Sequence, residues 1–157
     1  MQMARAGISG TAAFTGQRHD RALRCSAEAR AGNSDRRTMM GRAKALLSVG
    51  HEVLLQRVVR KLSQVVSPIV VVAAEGQELP PLDATIVYDP VEYRGPLAGL
   101  GTGLAVLRHQ VDAVYLTGCD VPLLSPQFVD AVISKLGDAE IVVPQEGKFL
   151  HPLAAVY

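Results

Sequence analysis

The sequence predicts an α/β domain, three layers built on a mostly parallel sheet. Two observations carry that prediction. Short β-branched runs such as Ile69–Val72 and Ile141–Val143 have the length and composition of strands buried on both faces. Between them lie segments with the three- and four-residue apolar spacing of helices, and this alternation reads as βαβ units. The composition agrees: 48% of residues are hydrophobic and only 4% aromatic, with no Trp, as expected of an aliphatic core. At 157 residues one domain is the simplest organisation.

The elements follow in order. Residues 1–42 hold eight Arg, no Lys and three acids, are rich in Ala, Gly and Ser, and show no sustained period. Residues 1–30 are therefore expected to lie outside the fold, as a disordered or artefactual leader, with the domain spanning 31–157. An Arg-rich, acid-poor start also fits an organelle transit peptide; a tail or a wrong start or frame is the favoured reading. Val53, Leu54, Leu55, Val58, Val59, Leu62, Val65 and Val66 form a helical stripe. Strands are expected at Ile69–Ala73, Thr85–Tyr88, Ala113–Thr117 and Glu140–Val143, all parallel. Between the last two, "SPQFVDAVISKLG" is a helix with Ser125 as N-cap, Pro126 at N1 and Gly137 as the stop. The closing "HPLAAVY" reads as a strand entered without its sequel, so the sheet is expected to be incomplete at both ends.

Several classes are excluded. A net charge of +1 offers no electrostatic reason to expect nucleic acid or an anionic membrane as partner. No run of 18 apolar residues suggests a spanning helix, and the start has no apolar core of a secretory signal. Cys25 and Cys119 are too far apart in sequence to suggest a zinc site or a disulfide framework.

The chemistry concentrates where parallel strands end, the usual ligand edge of such sheets. Asp89 closes "TIVYD" and Asp120 closes "VYLTGCD". For Asp89 a turn role and a functional one are evenly balanced. A lone carboxylate facing an anion site, as Asp120 would, is the usual protein contribution to Mg²⁺. Lys44, three residues after Gly41, could neutralise a triphosphate or simply begin a helix. "GPLAGLGTG" crowds four glycines, Gly95, Gly99, Gly101 and Gly103, into the start of a helix, although each interior glycine costs roughly 1 kcal/mol relative to Ala. They serve either close packing on a strand or the approach of a phosphate to exposed backbone N–H groups.

Together, "MGRAK" (40–44), "YDP" before "GPLAGL" (88–100), "CDVPLL" (119–124) and "HPLAAVY" (151–157) resemble the molybdenum cofactor guanylyltransferases in order and spacing. The resemblance covers about residues 40–157, and "GPLAGL" joined to "HPL" is characteristic of the guanylyl branch. It implies a Rossmann-like, nucleotide-diphospho-sugar transferase-like fold and transfer of GMP from GTP to Mo-molybdopterin, with release of pyrophosphate. It further implies that Gly41, Lys44, Asp89, Gly95, Gly99 and Asp120 bind nucleotide, that Lys44 and Asp120 are catalytic, and that Asp120 holds Mg²⁺. No acid–base histidine is called for, so His51, His109 and His151 read as structural or surface residues. The implied partners are GTP, Mo-molybdopterin and, transiently, other molybdenum-cofactor proteins, and the implied location is the cytoplasm.

The family's first loop, L-A-G-G-x-S-x-R-M-G, is matched by "AGNSDRRTMMG", two residues longer, with Asn33 at the second glycine and Met39 at the arginine. Ala73 stands where some members carry an asparagine, and no apolar strand precedes the loop. Weak or no transfer by these 157 residues is the resulting expectation. Two further readings fit the same residues: a cytidylyl- or other nucleotidyltransferase, and an inactive nucleotide-binding remnant.

Overall fold

The computed structural model describes residues 46–89 and 96–157, together with the backbone of 2–5, 24–29, 38–39 and 42–43. In chain order the elements are β1 (Gln2–Arg5), β2 (Arg24–Ala29), β3 (Thr38–Met39), β4 (Arg42–Ala43), β5 (Ser48–Val49), β6 (Glu52–Val53) and α1 (Leu54–Leu62). They continue with β7 (Ile69–Ala74), β8 (Thr85–Asp89), α2 (Pro96–Leu107), β9 (Val114–Gly118), α3 (Pro126–Ile133), β10 (Val142–Glu146), β11 (Phe149–Leu150) and β12 (Ala154–Val156). The pairs β3–β4 and β5–β6 are separate hairpins. The remaining strands form one sheet in the order β1-β10-β12-β9-β2-β7-β8, with β11 paired to β10.

The three layers follow from the apolar faces. On one side of the sheet, Leu55, Val58, Val59 and Leu62 of α1 join Val129, Val132 and Ile133 of α3 in a single cluster with Val71, Tyr115, Val142 and Val156. On the other side, Leu107 of α2 packs with Val70, Val72 and Val114. Alternation along β7 explains the split: Val71 faces one layer, and Val70 and Val72 face the other. α3 begins as its sequence dictates, with the Ser125 Oγ accepting from the Phe128 N–H at 3.4 Å and Pro126 in the first turn. Its regular part ends at Ile133, and looser turns continue to Gly137, whose φ of 52° breaks the helix. No helix among the described residues is long and apolar enough to cross a membrane.

One sequence expectation is corrected. Residues 1–30 are not wholly outside the fold. Strand β2 lies in the middle of the sheet, parallel to β7 from Cys25↔Ile69 to Ala29↔Ala73 and parallel to β9 from Arg24↔Val114 to Glu28↔Gly118. Its sequence, RCSAEA, has no β-branched or aromatic residue and so gives no local strand signal. Backbone ladders on both sides define it instead. Strand β1 also joins the sheet, antiparallel to β10.

Strand β10, expected among the parallel strands, keeps that direction without pairing with another of them. It runs in the same direction as β9, but β12 is inserted between them and is antiparallel to both. The seven residues between β10 and β12 are too few for a parallel crossover, which needs a dozen or more, so the returning chain must pair antiparallel.

Substituting Ala27→Pro removes a ladder donor from a strand paired on both sides. The expected outcome is loss of the cooperative urea transition followed by circular dichroism; an unchanged midpoint would return residues 24–29 to the leader. In the core, Leu55→Ala, at a fully buried position, should lower stability by about 2–5 kcal/mol in the same measurement.

Candidate functional site

Strands β2, β7, β8 and β9 are mutually parallel, so their carboxyl ends open on one edge of the sheet. The register fixes what meets there. Asp89, the last residue of β8, pairs with Ala74, one step beyond the Ala29↔Ala73 pair. Gly118, the last residue of β9, pairs with Glu28, and Asp120 follows two residues beyond that strand end on the same edge. The strands that lead to the two aspartates, β8 and β9, are three steps apart in the sheet, ~14 Å at ~4.8 Å per step. The two aspartates cannot share one ion, yet an extended ligand lying along the edge reaches both.

Asp120 is exposed, and its carboxylate turns back over the strand that precedes it. A Cβ at Gly118 would lie 2.9 Å from Asp120 Oδ1, so the carboxylate occupies room that only a glycine leaves. Pro122 keeps the chain from entering a helix at once. The Leu124 N–H closes a turn on the Val121 carbonyl at 3.1 Å, and α3 starts only after Ser125. The loop is held from α1: Arg57 Nε donates to the Pro122 carbonyl at 2.9 Å while its Nη1 lies 3.2 Å from Glu52 Oε1. Glu52 also receives Arg60 through both oxygens, at 2.7 and 2.9 Å. The hydrogen bond from Arg60, aided by the two positive charges, holds the Glu52 carboxyl below its ordinary range.

The glycine-rich segment forms α2 as expected. Gly99 and Gly103 are buried, four residues apart, on the face shared with Leu100 and Leu107 that packs on the sheet. Close packing therefore accounts for these two. Gly101, by contrast, has open space where a Cβ would sit. Gly41, Lys44 and Gly95 lie outside the described residues.

Further along the same edge, a cavity of ≈ 400 Å³ is lined by Phe128, Pro144, Glu146, His151 and Ala154. Strand β10 ends here at Glu146 and β12 begins here at Ala154. The "HPL" segment is a tight turn: the His151 N–H donates to the Pro144 carbonyl at 2.9 Å, and the Ala154 N–H to the His151 carbonyl at 3.0 Å. The Tyr157 hydroxyl donates to the Pro152 carbonyl at 2.9 Å. His151, a structural or surface residue in the sequence reading, is about half exposed and places Nε2 3.8 Å from the exposed Glu146 Oε2, both side chains lining this cavity.

Sequence reasoning missed three features of the site: the Gly118 clearance, the Arg57 tether and the cavity. A glycine two residues before a strand-end aspartate, and a lone arginine flanking an apolar helical stripe, are the signals that could have found the first two. The cavity had no local signal, because it joins residues from α3, β10 and β12.

Comparison with known proteins supplies the family. A family model described as a MobA-like NTP transferase domain matches residues 31–157. A Mycobacterium avium (strain 104) protein named as a probable molybdenum cofactor guanylyltransferase is 39% identical over 132 residues, covering 81% of this chain and 66% of its own length. The chain thus spans just under two thirds of that relative. Among solved structures, molybdopterin-guanine dinucleotide biosynthesis protein A from Archaeoglobus fulgidus superposes with a TM-score of 0.59 at 20% identity, over 84% of this chain and 66% of that one. The 2-C-methyl-D-erythritol 4-phosphate cytidylyltransferase of Thermus thermophilus gives 0.62 at 16% identity, over 85% and 69%. At these identities the two structures establish a shared nucleotidyltransferase α/β fold.

Burial pushes the Tyr157 phenol above its ordinary value of 10.0. The folded state then holds this proton more tightly than the unfolded chain. Its contribution is fully present below pH 10 and is lost as the pH rises through the folded value. In Tyr157→Phe, the decline of stability in thermal melts above pH 10 should be shallower than in the parent. Losing the bond to Pro152 should lower stability at neutral pH by about 0.5–1.5 kcal/mol.

Proposed function

This chain belongs to the MobA-like NTP transferase family, and on that premise we propose that it transfers GMP from GTP to the terminal phosphate of Mo-molybdopterin. The observation that carries the reading is the shared edge of β2, β8 and β9. An aspartate closes β8 and another follows the end of β9 there, and residues 31–41, which come after β2 in the sequence, resemble the family's first loop. The name of the Mycobacterium avium relative supports guanine as the base.

The residues take their roles from their places. A terminal phosphate oxygen of the acceptor attacks the α-phosphorus of GTP. As that P–O bond forms, the α–β bridging bond breaks, and pyrophosphate leaves with the electron pair. The protein need only position the reactants and offset charge. Lys44 takes up the charge that grows on the leaving group. Gly41 and Gly95 let backbone approach the nucleotide, and Asp89 fixes its far end. Asp120 holds Mg²⁺, which neutralises phosphate charge when bound. The donor set fits that ion: it takes one or two carboxylates and fills its shell with water and phosphate oxygens. Asp120 is a single exposed carboxylate set against Gly118, and no group of three or more His, Cys, Asp or Glu side chains that could cage a metal occurs among the described residues. The acceptor lies in the neighbouring cavity, with its ring against Phe128 and Pro144 and its N–H groups toward Glu146. The cytoplasmic setting and transient contacts with other molybdenum-cofactor proteins belong to the same reading.

Formation of the guanine dinucleotide cofactor from GTP, Mg²⁺ and Mo-molybdopterin is the direct test. Turnover is expected below that of relatives with the intact glycine loop, because Asn33 and Met39 replace its second glycine and its arginine. Asp120→Asn keeps the shape and removes the charge. Mg²⁺-dependent GTP binding, followed by calorimetry, should weaken by about tenfold or more, and unchanged metal dependence would return Asp120 to a turn role. In competition against a fluorescent GTP analogue, GTP should displace the probe and CTP should not; equal displacement would move the reading to cytidylyl transfer.

A further inference from the structure

The loop that carries Asp120 is fastened at two points that share no sequence neighbourhood. Before it, Gly118 provides the room that the carboxylate fills, with Oδ1 only 2.9 Å from where a Cβ would be. After it, the Pro122 carbonyl accepts Arg57 Nε at 2.9 Å from a helix 65 residues earlier in the chain. A guanidinium can serve both ends of this contact at once. Its Nε points at the loop while its Nη1 faces Glu52, and the planar fork fixes the angle between the two. Glu52 is itself anchored, because Arg60 binds both of its oxygens. The result is a strut, Arg60–Glu52–Arg57, that ends on the backbone two residues beyond Asp120.

We propose that Arg57 is a positioning residue for the Asp120 carboxylate, holding it at the strand end in the orientation that receives a divalent cation, with Gly118 as the seat. The inference rests on the reading of Asp120 as the metal carboxylate and adds what keeps it in place. Arg57 touches the loop, not the ligand, so its effect reaches the metal only through Asp120. Lysine cannot replace it fully. An ammonium is a compact point charge on a flexible stem, able to reach the Pro122 carbonyl or Glu52 but without the fixed fork that spans both. Gly118→Ala acts from the other side: the new methyl group displaces the flexible end of Asp120 rather than backbone.

The test is a double-mutant cycle on the full chain, read by Mn²⁺ titration in the presence of GTP, with urea midpoints measured in parallel. Arg57→Met should weaken Mn²⁺ binding by about tenfold and leave GTP binding without metal unchanged. Arg57→Lys should recover part of the loss, and Gly118→Ala should weaken Mn²⁺ binding as well. Combining Arg57→Met with Asp120→Asn should weaken it no further than Asp120→Asn alone, because a positioning residue has nothing left to position. Additive losses, or a loss in Arg57→Met that tracks the urea midpoint and also appears in metal-free GTP binding, would overturn the proposal and make Arg57 an ordinary structural contact. If Asp120→Asn alone leaves Mn²⁺ binding intact, the failure belongs to the reading of Asp120, and the role of Arg57 falls with it.

Discussion

The rest of the architecture depends on the double ladder of β2. It is paired along five residues with β7 on one side and five with β9 on the other. Without it the sheet divides into two halves, β8–β7 and β9–β12–β10, each with an open edge where backbone donors and acceptors would be left unpaired. Because all three ladders among β9, β2, β7 and β8 are parallel, one constraint also brings four carboxyl ends to one side. The position of the candidate site is therefore a consequence of strand direction, before any side chain is considered.

The helices stabilise this arrangement unequally. On one face α1 and α3 share a continuous apolar cluster that reaches from Leu55 to Val156. This layer carries the two features that adjoin the Asp120 loop: the N-terminus of α3 and the Arg57 contact with the Pro122 carbonyl. On the other face α2 contributes a smaller cluster around Leu107. Its buried Gly99 and Gly103 lie on the face that packs on the sheet. Layers packed on both faces behind the edge that carries Asp120 suit the proposed reaction, whose catalysis is mainly positioning.

The far half of the sheet has a different logic. A short return after β10 obliges β12 to run antiparallel, and that return is the "HPL" turn. Its backbone bonds to Pro144 and within His151–Ala154 set Glu146 and His151 across a cavity, beside the strand that ends at Gly118. The acceptor side of the proposed reaction is thus built by loop length and turn geometry, while the nucleotide side is built by parallel pairing.

Much of this was legible in the sequence. The runs Ile69–Val72 and Thr85–Tyr88 and the cap at Ser125-Pro126 are local signals that placed their elements within a residue or two, and the stripe from Val53 to Val66 gave α1, which ends earlier, at Leu62. Asp89 and Asp120 could be assigned to strand ends for the same reason: hydrophobic runs stop at them. Strand β2 could not be read, because RCSAEA carries no intrinsic β preference and owes its conformation to neighbours about 45 and 90 residues away. The pairing of β12, the clearance above Gly118 and the reach of Arg57 to Pro122 were equally hidden. Sequence periodicity reports which face of an element is apolar. Which element lies beside which, and therefore which charge meets which carbonyl, is decided only when the layers pack.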